Sequence, residues 1–173
     1  MPNIKSHLLT LVSTIVVLGC SSAPPSPPKQ DRPNFVVKDI KGDVLGMSLK
    51  DYRHKHPSVD CSTTGKDDTC EDNDTYARFY AVRTAQFFEK RLYSIRYRIE
   101  VDDDLLPELE KKYGGNHKEI GSYSLQWDNQ QTTIEYTKFD KAMKITFSDN
   151  ALAAKHSAQQ SAPKPTPSRE SDM

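Results

Sequence analysis

The chain has 173 residues, with 24 Lys plus Arg set against 24 Asp plus Glu and 35% hydrophobic residues. This balance leaves no field of one sign to gather nucleic acid, and the length suits one domain of modest core size. Three cysteines, Cys20, Cys61 and Cys70, stand at informative positions.

The amino terminus carries the strongest single signal. Lys5 precedes an apolar run from Leu8 to Leu18, the length of a secretory h-region and short of the roughly 20 apolar residues that cross a bilayer. Residues 1–19 therefore read as a cleaved leader, and loss of Lys5 with it leaves a net charge of about −1. Residues 20–34 (CSSAPPSPPKQDRPN) are rich in Pro and Ser. They predict a tether in partly extended polyproline II, reaching about 30–40 Å at ~3 Å per residue.

The end of the leader, Val17-Leu18-Gly19-Cys20, resembles the lipobox of bacterial lipoproteins. The resemblance implies cleavage before Cys20, a diacylglyceryl group on its sulfur and acylation of the new amine. Such acyl chains hold a protein to a membrane by ~0.8 kcal/mol per buried methylene. Ser21 and Ser22 follow where this family places an Asp for inner-membrane retention. The implied address is the outer membrane, facing the periplasm.

The folded core is expected over residues 35–154. Phe35 to Ile40 predicts a short strand, Lys41-Gly42-Asp43 a turn, and Ser48 with Asp51 the capping pair of a two-turn helix that Pro57 ends. Ser58 to Asp74 reads as a polar loop. Because Cys20 is taken by lipid, Cys61 and Cys70 remain as an even pair, which in an exported protein reads as a disulfide. Closing about ten residues in this way restricts the unfolded chain by roughly 2–3 kcal/mol.

Thr75 to Val82 and Thr84 to Phe88 predict strands, with a tight turn at Glu89-Lys90. Arg91 to Glu100 alternates: Tyr93, Ile95, Tyr97 and Ile99 on a core face, Ser94, Arg96, Arg98 and Glu100 on a wet one. Asp102 to Asp104 place carboxylates at the positive end of a second helix. Pro107 sits in its first turn, Leu105, Leu106, Leu109 and Tyr113 form its apolar stripe, and Gly114 ends it. Strands with inward Tyr123, Leu125 and Trp127, then Thr132, Ile134 and Tyr136, then Met143, Ile145 and Phe147 complete a meander. Ser148 to Asn150 cap a brief final helix, and residues 155–173 read as a disordered tail. The order β-α-β-β-α-β-β-β predicts an α+β two-layer sandwich, an antiparallel meander sheet with two main helices packed on one face.

Val44-Leu45-Gly46-Met47-Ser48-Leu49 ahead of a short helix resembles the opening of small exported domains. These include outer-membrane assembly lipoproteins of the SmpA/OmlA type and the β-lactamase-inhibitor-like fold. Phe88 to Ile95 and Lys111 to Gly114 are similar to segments of other exported proteins. The resemblance implies a domain that binds or scaffolds envelope components, and it carries no catalytic residue across.

The polar clusters support little chemistry. His54, His56, Cys61 and Cys70 have zinc-ligand types, but a disulfide removes the thiols and the end of a helix suits cationic His. Asp67, Asp68, Glu71, Asp72 and Asp74 lack the Gly and terminal Glu of a calcium loop and read as a solvated acidic loop. No Ser-His-Asp order, phosphate loop or metalloprotease motif is present. The sequence thus points to a non-enzymatic lipoprotein without cofactor or metal. Its expected partners are the membrane, through Cys20, and an envelope protein or glycan, with Arg96 and Arg98 as the candidate binding face. A hydrolase inhibitor acting through the Cys61–Cys70 loop, and a hydrolase with a dispersed site, are the alternatives.

Overall fold

The structure, a computed structural model, describes residues 35–37 and 39–162. The leader, Cys20, the tether and the tail from residue 163 lie outside the described residues. Eight strands join in one antiparallel sheet: β1 (Asp60–Thr64), β2 (Asp67–Tyr76), β3 (Phe79–Phe88), β4 (Arg91–Ile99), β5 (Lys118–Gly121), β6 (Ser124–Asp128), β7 (Thr132–Lys138) and β8 (Met143–Asp149). Their order across the sheet is β1-β2-β3-β4-β8-β7-β6-β5. Two four-stranded meanders therefore meet along one seam, where β4 pairs with β8 from Ser94↔Ser148 to Ile99↔Met143.

Among the described residues three helices accompany the sheet: α1 (Leu49–Lys55), α2 (Leu106–Tyr113) and α3 (Asn150–Gln160). Ser48 caps α1, its Oγ accepting from Asp51 N–H at 3.1 Å, which satisfies one of the orphan donors of the first turn. Asp104 plays a similar part ahead of α2, accepting from Leu106 N–H at 2.9 Å. Pro107 lies in the first turn, and Gly114 leaves the helix at φ +88°, a conformation glycine adopts without a Cβ clash.

Register assigns the two faces. Cys70, Ala85, Ile95, Phe147, Ile134 and Trp127 form one continuous row of partners across six strands, and all six are buried. Tyr52 of α1 meets Phe87 with ring centroids 5.1 Å apart, and Tyr113 of α2 meets Phe147 at 6.2 Å. Trp127 donates from Nε1 to Gly114 O at 2.7 Å, joining the end of α2 to β6. Burying such aromatic and branched side chains contributes about 1.5–3 kcal/mol each.

The departures from the sequence reading have identifiable causes. The described residues between Phe35 and Ile40 form no strand; Ile40 and Asp43 make only an isolated bridge around a Lys41-Gly42 turn, both at positive φ. Ser58 to Asp74 is no loop, because β1 and β2 pair over its length. The chain turns at Ala77-Arg78, inside the strand expected over Thr75 to Val82, and Arg83, left between the two expected strands, lies mid-strand in β3. A register shift opposite Gln86/Phe87 places Leu92 in the core and moves Tyr93 off it. Tyr123 lies in the β5–β6 turn and is 74% exposed, and β5 itself, all exposed, has no apolar alternation to announce it. The final helix runs to Gln160, six residues beyond Ala154.

Candidate functional site

Three polar assemblies among the described residues gather the side chains able to do chemistry. The first is buried. Arg83 on β3 is 3% exposed and grips Asp72 of β2 with two bonds, Nε to Oδ1 at 2.9 Å and Nη2 to Oδ2 at 2.6 Å. Its Nη1 donates to Asp43 Oδ2 at 3.0 Å, and Asp43 is fully buried. His56, just past α1, lies 2.8 Å from Asp43 through Nε2 and 3.0 Å from Arg83 Nη2 through Nδ1. A guanidinium only donates, so Nδ1 accepts and Nε2–H donates to Asp43.

Burial alone would lower the Arg83 guanidinium, but its bonds to Asp72 and the neighbouring charge hold it above its ordinary value. Burial pushes the Tyr52 and Tyr97 phenols beside it upward, with Arg83 opposing. Lys41 adds an ion pair to Asp74 from the Ile40–Asp43 turn. This assembly latches the segment before α1 onto β2 and β3. Among the described residues no nucleophile stands beside a free base in it.

The second assembly is the disulfide. Cys61 and Cys70 are bonded, and they are opposed residues of β1 and β2. Cys70 is fully buried. The bridge thus staples two neighbouring strands, and the hairpin tip beyond it is a two-residue turn at Gly65-Lys66. The neighbouring acidic residues are not a solvated loop. Asp68, Asp72 and Asp74 share the Cys70 side of β2. Burial pushes the Asp68 carboxyl up, but the Thr63 hydroxyl and the Lys90 ammonium outweigh it and hold it below the usual carboxylate range. Asp74 behaves likewise through Lys41, the Thr75 N–H and Arg83. Among the described residues, no three His, Cys, Asp or Glu side chains converge in a metal-binding arrangement.

The third assembly is the polar side of the sheet. Register brings together Thr84, Arg96, Thr146 and Glu135 in one row, and Val82, Arg98, Lys144 and Thr137 in the next. One end of this face is occupied by α3, whose His156 ring lies 5.3 Å from Phe88 and 4.8 Å from Tyr93. Asp149 caps that helix by accepting from Leu152 N–H at 2.9 Å.

Sequence alternation had placed Arg96 and Arg98 on this side, and they lie two residues apart on β4 with side chains facing the same way. Arg98 is exposed and pairs with Glu100 at 2.6 Å. Arg96 is half-buried, its Nε has no hydrogen-bond partner, and no carboxylate lies within ion-pair distance among the described residues. Lys144 of β8 stands directly across from Arg98. Sequence reading missed Lys144, although the alternation of Met143, Ile145 and Phe147 already put it on the wet side. Beyond Arg98, an open hollow of about 590 Å³ is lined by Glu100, Val101, Asp102 and the Phe139–Ala142 turn. Tyr80 (89% exposed) and Phe139 (53%) stand at this end of the sheet.

Among the described residues, no helix is long and apolar enough to cross a membrane. No protein-family model matches the chain, and neither a curated protein nor a solved structure matches it.

Proposed function

We propose that this protein is a lipid-anchored component of the bacterial envelope whose domain binds another envelope macromolecule and performs no catalysis. In this reading Cys20 carries the lipid at the outer membrane, residues 21–34 hold the domain off the surface, and the sheet presents the binding face. Helices α1 and α2 both cover the face that holds Phe87 and Phe147, in agreement with the contacts of Tyr52 and Tyr113. Among the described residues, α3 is the helix that lies on the opposite face. The observation that carries the binding reading is Arg96, a cation in mid-sheet whose guanidinium has an unpartnered Nε and no acidic neighbour among the described residues. Nε itself is shielded from solvent, and the other N–H donors of this guanidinium are what an acceptor on a bound partner would meet.

Two experiments test this. Replacing Cys20 by Ala abolishes labelling with radioactive palmitate and releases the protein to the soluble fraction; continued labelling defeats the anchor. A photo-crosslinking residue at position 96 or 98 captures an envelope component in cells, whereas one at Lys50 on α1 does not. Equal capture from both positions defeats the binding face.

A further inference from the structure

The sheet ends in two edge strands, β1 and β5, and they are defended unequally. Unpaired N–H and C=O groups along an edge are a template for a further strand, and charges or a bulge blunt that template. Strand β5 carries Lys118 and Glu119, and its ladder to β6 is broken by a register shift between Glu119 and Gly121. Strand β1, Asp60-Cys61-Ser62-Thr63-Thr64, has a single charged residue and pairs with β2 in unbroken register.

The hairpin decides which groups of β1 point outward. The Gly65-Lys66 turn has two residues, so Thr64 and Asp67 exchange hydrogen bonds and the pairs alternate from there. Thr63↔Asp68 and Cys61↔Cys70 are then pairs without mutual hydrogen bonds. The 4.0 Å between the Cα atoms of Cys61 and Cys70 agrees, since such pairs are the closer ones. The N–H and C=O groups of Cys61 and Thr63 therefore face away from β2, on the side where no described strand lies.

Helix α3 carries the chain to this edge. It starts over β7 and β8, where the Thr133 hydroxyl donates to Asn150 Oδ1 at 2.8 Å. His156 then lies against Tyr93 of β4 and Phe88 of β3, and 3.2 Å from Asp67 of β2. Gln159 Oε1 is 3.5 Å from Lys66 Nζ in the β1–β2 turn. The helix rises about 16 Å over its length, or roughly three strand spacings. The described chain thus ends, at residue 162, near the Thr64 end of β1. Residues 163–173 follow from that point.

Pro163, Pro165 and Pro167 stand there at alternate positions. In an extended chain paired on one side, alternate residues turn their N–H groups to that side and away from it. The three missing N–H groups therefore share one side, and Lys164, Thr166 and Ser168 keep theirs on the other. Within a sheet, proline is confined to edge strands with its N–H side facing solvent, and its fixed φ near −65° is tolerated there. Such a segment pairs along one side only.

We infer that the open edge of β1 is a strand-addition site whose occupant is residues 163–168 of the same chain. They lie antiparallel to β1 as a ninth strand, with Lys164 opposite Thr63 and Thr166 opposite Cys61. The direction follows from the start at the turn end of β1. Attachment through α3 gives the segment an effective concentration in the millimolar range, which favours it over a second copy of the chain. Once it is seated, its outward prolines offer no N–H row to a tenth strand. The inference stands apart from the binding-face reading above.

The test is amide hydrogen exchange, read by NMR on the full-length mature chain in neutral detergent with the disulfide intact. The expected result is that the Cys61 and Thr63 amides exchange slowly. Thr166→Pro, which removes an inward N–H, speeds both by about tenfold or more, and Pro165→Thr on the outward side leaves them within about twofold. The Ile95 and Phe147 amides, central in the sheet, stay within about twofold in both variants. Fast exchange at Cys61 and Thr63 in the parent overturns the inference, as does protection that survives Thr166→Pro. Equal acceleration at Ile95 and Phe147 also overturns it, because the effect is then not local to the edge. Protection that grows with protein concentration assigns the edge to a second copy and overturns the intramolecular occupant.

Discussion

The buried assembly around Arg83 makes a prediction sharp enough to rank two substitutions. Replacing Arg83 by Leu leaves Asp43, whose side chain is 0% exposed, with only Lys55 at 3.1 Å and His56 at 2.8 Å, and releases Asp72 as well. Removing one partner of a buried ion pair typically costs 3–5 kcal/mol, so about 4 kcal/mol is expected. Replacing Asp43 by Leu is milder, because Arg83 keeps its two bonds to Asp72 and the nearby Asp74 at 3.6 Å. The unmade bond at Nη1 and the loosened segment before α1 then cost about 2 kcal/mol.

The pair shares one contact, so the double variant Asp43→Leu/Arg83→Leu falls short of the sum by about 1–2 kcal/mol. For a domain of this size Arg83→Leu lowers the thermal midpoint by roughly 15 °C, at about 4 °C per kcal/mol. Urea unfolding followed by circular dichroism, with the disulfide oxidised, reads all three variants. A smaller loss for Arg83→Leu than for Asp43→Leu, or strict additivity of the double variant, refutes the reasoning.

Three further outcomes follow from the same packing. Opening the disulfide by Cys61→Ser lowers stability by about 2–3 kcal/mol through the freed unfolded chain, and reducing agent produces the same urea midpoint in the parent protein. Ser48→Ala removes the α1 cap for about 1 kcal/mol, while Ser48→Asp retains most of it; thermal melts of the two separate capping from packing. Asp68, Asp74 and Asp104 are all held below the usual carboxylate range. Their stabilising contribution is present above the unfolded-state value of about 3.9 and is lost as pH falls below it toward their folded values. The urea midpoint therefore drops between pH 5 and pH 2, and the drop is smaller for Asp68→Asn.

How far the chain could be read depended on whether neighbours in sequence or partners in space determined the conformation. The meander of β6 to β8 and helix α2 were legible because their patterns are local. Trp127, Ile134, Tyr136 and Phe147 repeat at period two, and Asp104, Pro107 and Gly114 punctuate a single helix. Strand β2 was opaque for the opposite reason. Asp67-Asp68-Thr69-Cys70-Glu71-Asp72-Asn73-Asp74 has the composition of a loop, and it becomes a strand because Arg83, Lys90 and Lys41 supply the charge its inward face lacks. The even spacing of Asp68, Cys70, Asp72 and Asp74 was the available signal, overridden by low strand propensity.

Tyr93 was placed inside by alternation, and the extra residue at the shift opposite Gln86/Phe87 put it outside. The site was half legible for a related reason. Alternation on β4 gave Arg96 and Arg98, but only the pairing of β4 with β8 sets Lys144 beside them.

That pairing also fixes the order in which the chain can complete itself. Every other strand contact joins sequence neighbours, whereas Ser94 waits for Ser148. As the polypeptide is made from its amino end, the first four strands are finished while the last is still to come. During that interval β4 offers an open rim beside Ile95, Tyr97 and Ile99, a template on which another nascent copy can add a strand. The cations Arg96 and Arg98 on the same strand oppose the approach of an identical rim, in the way that charged residues blunt exposed sheet edges.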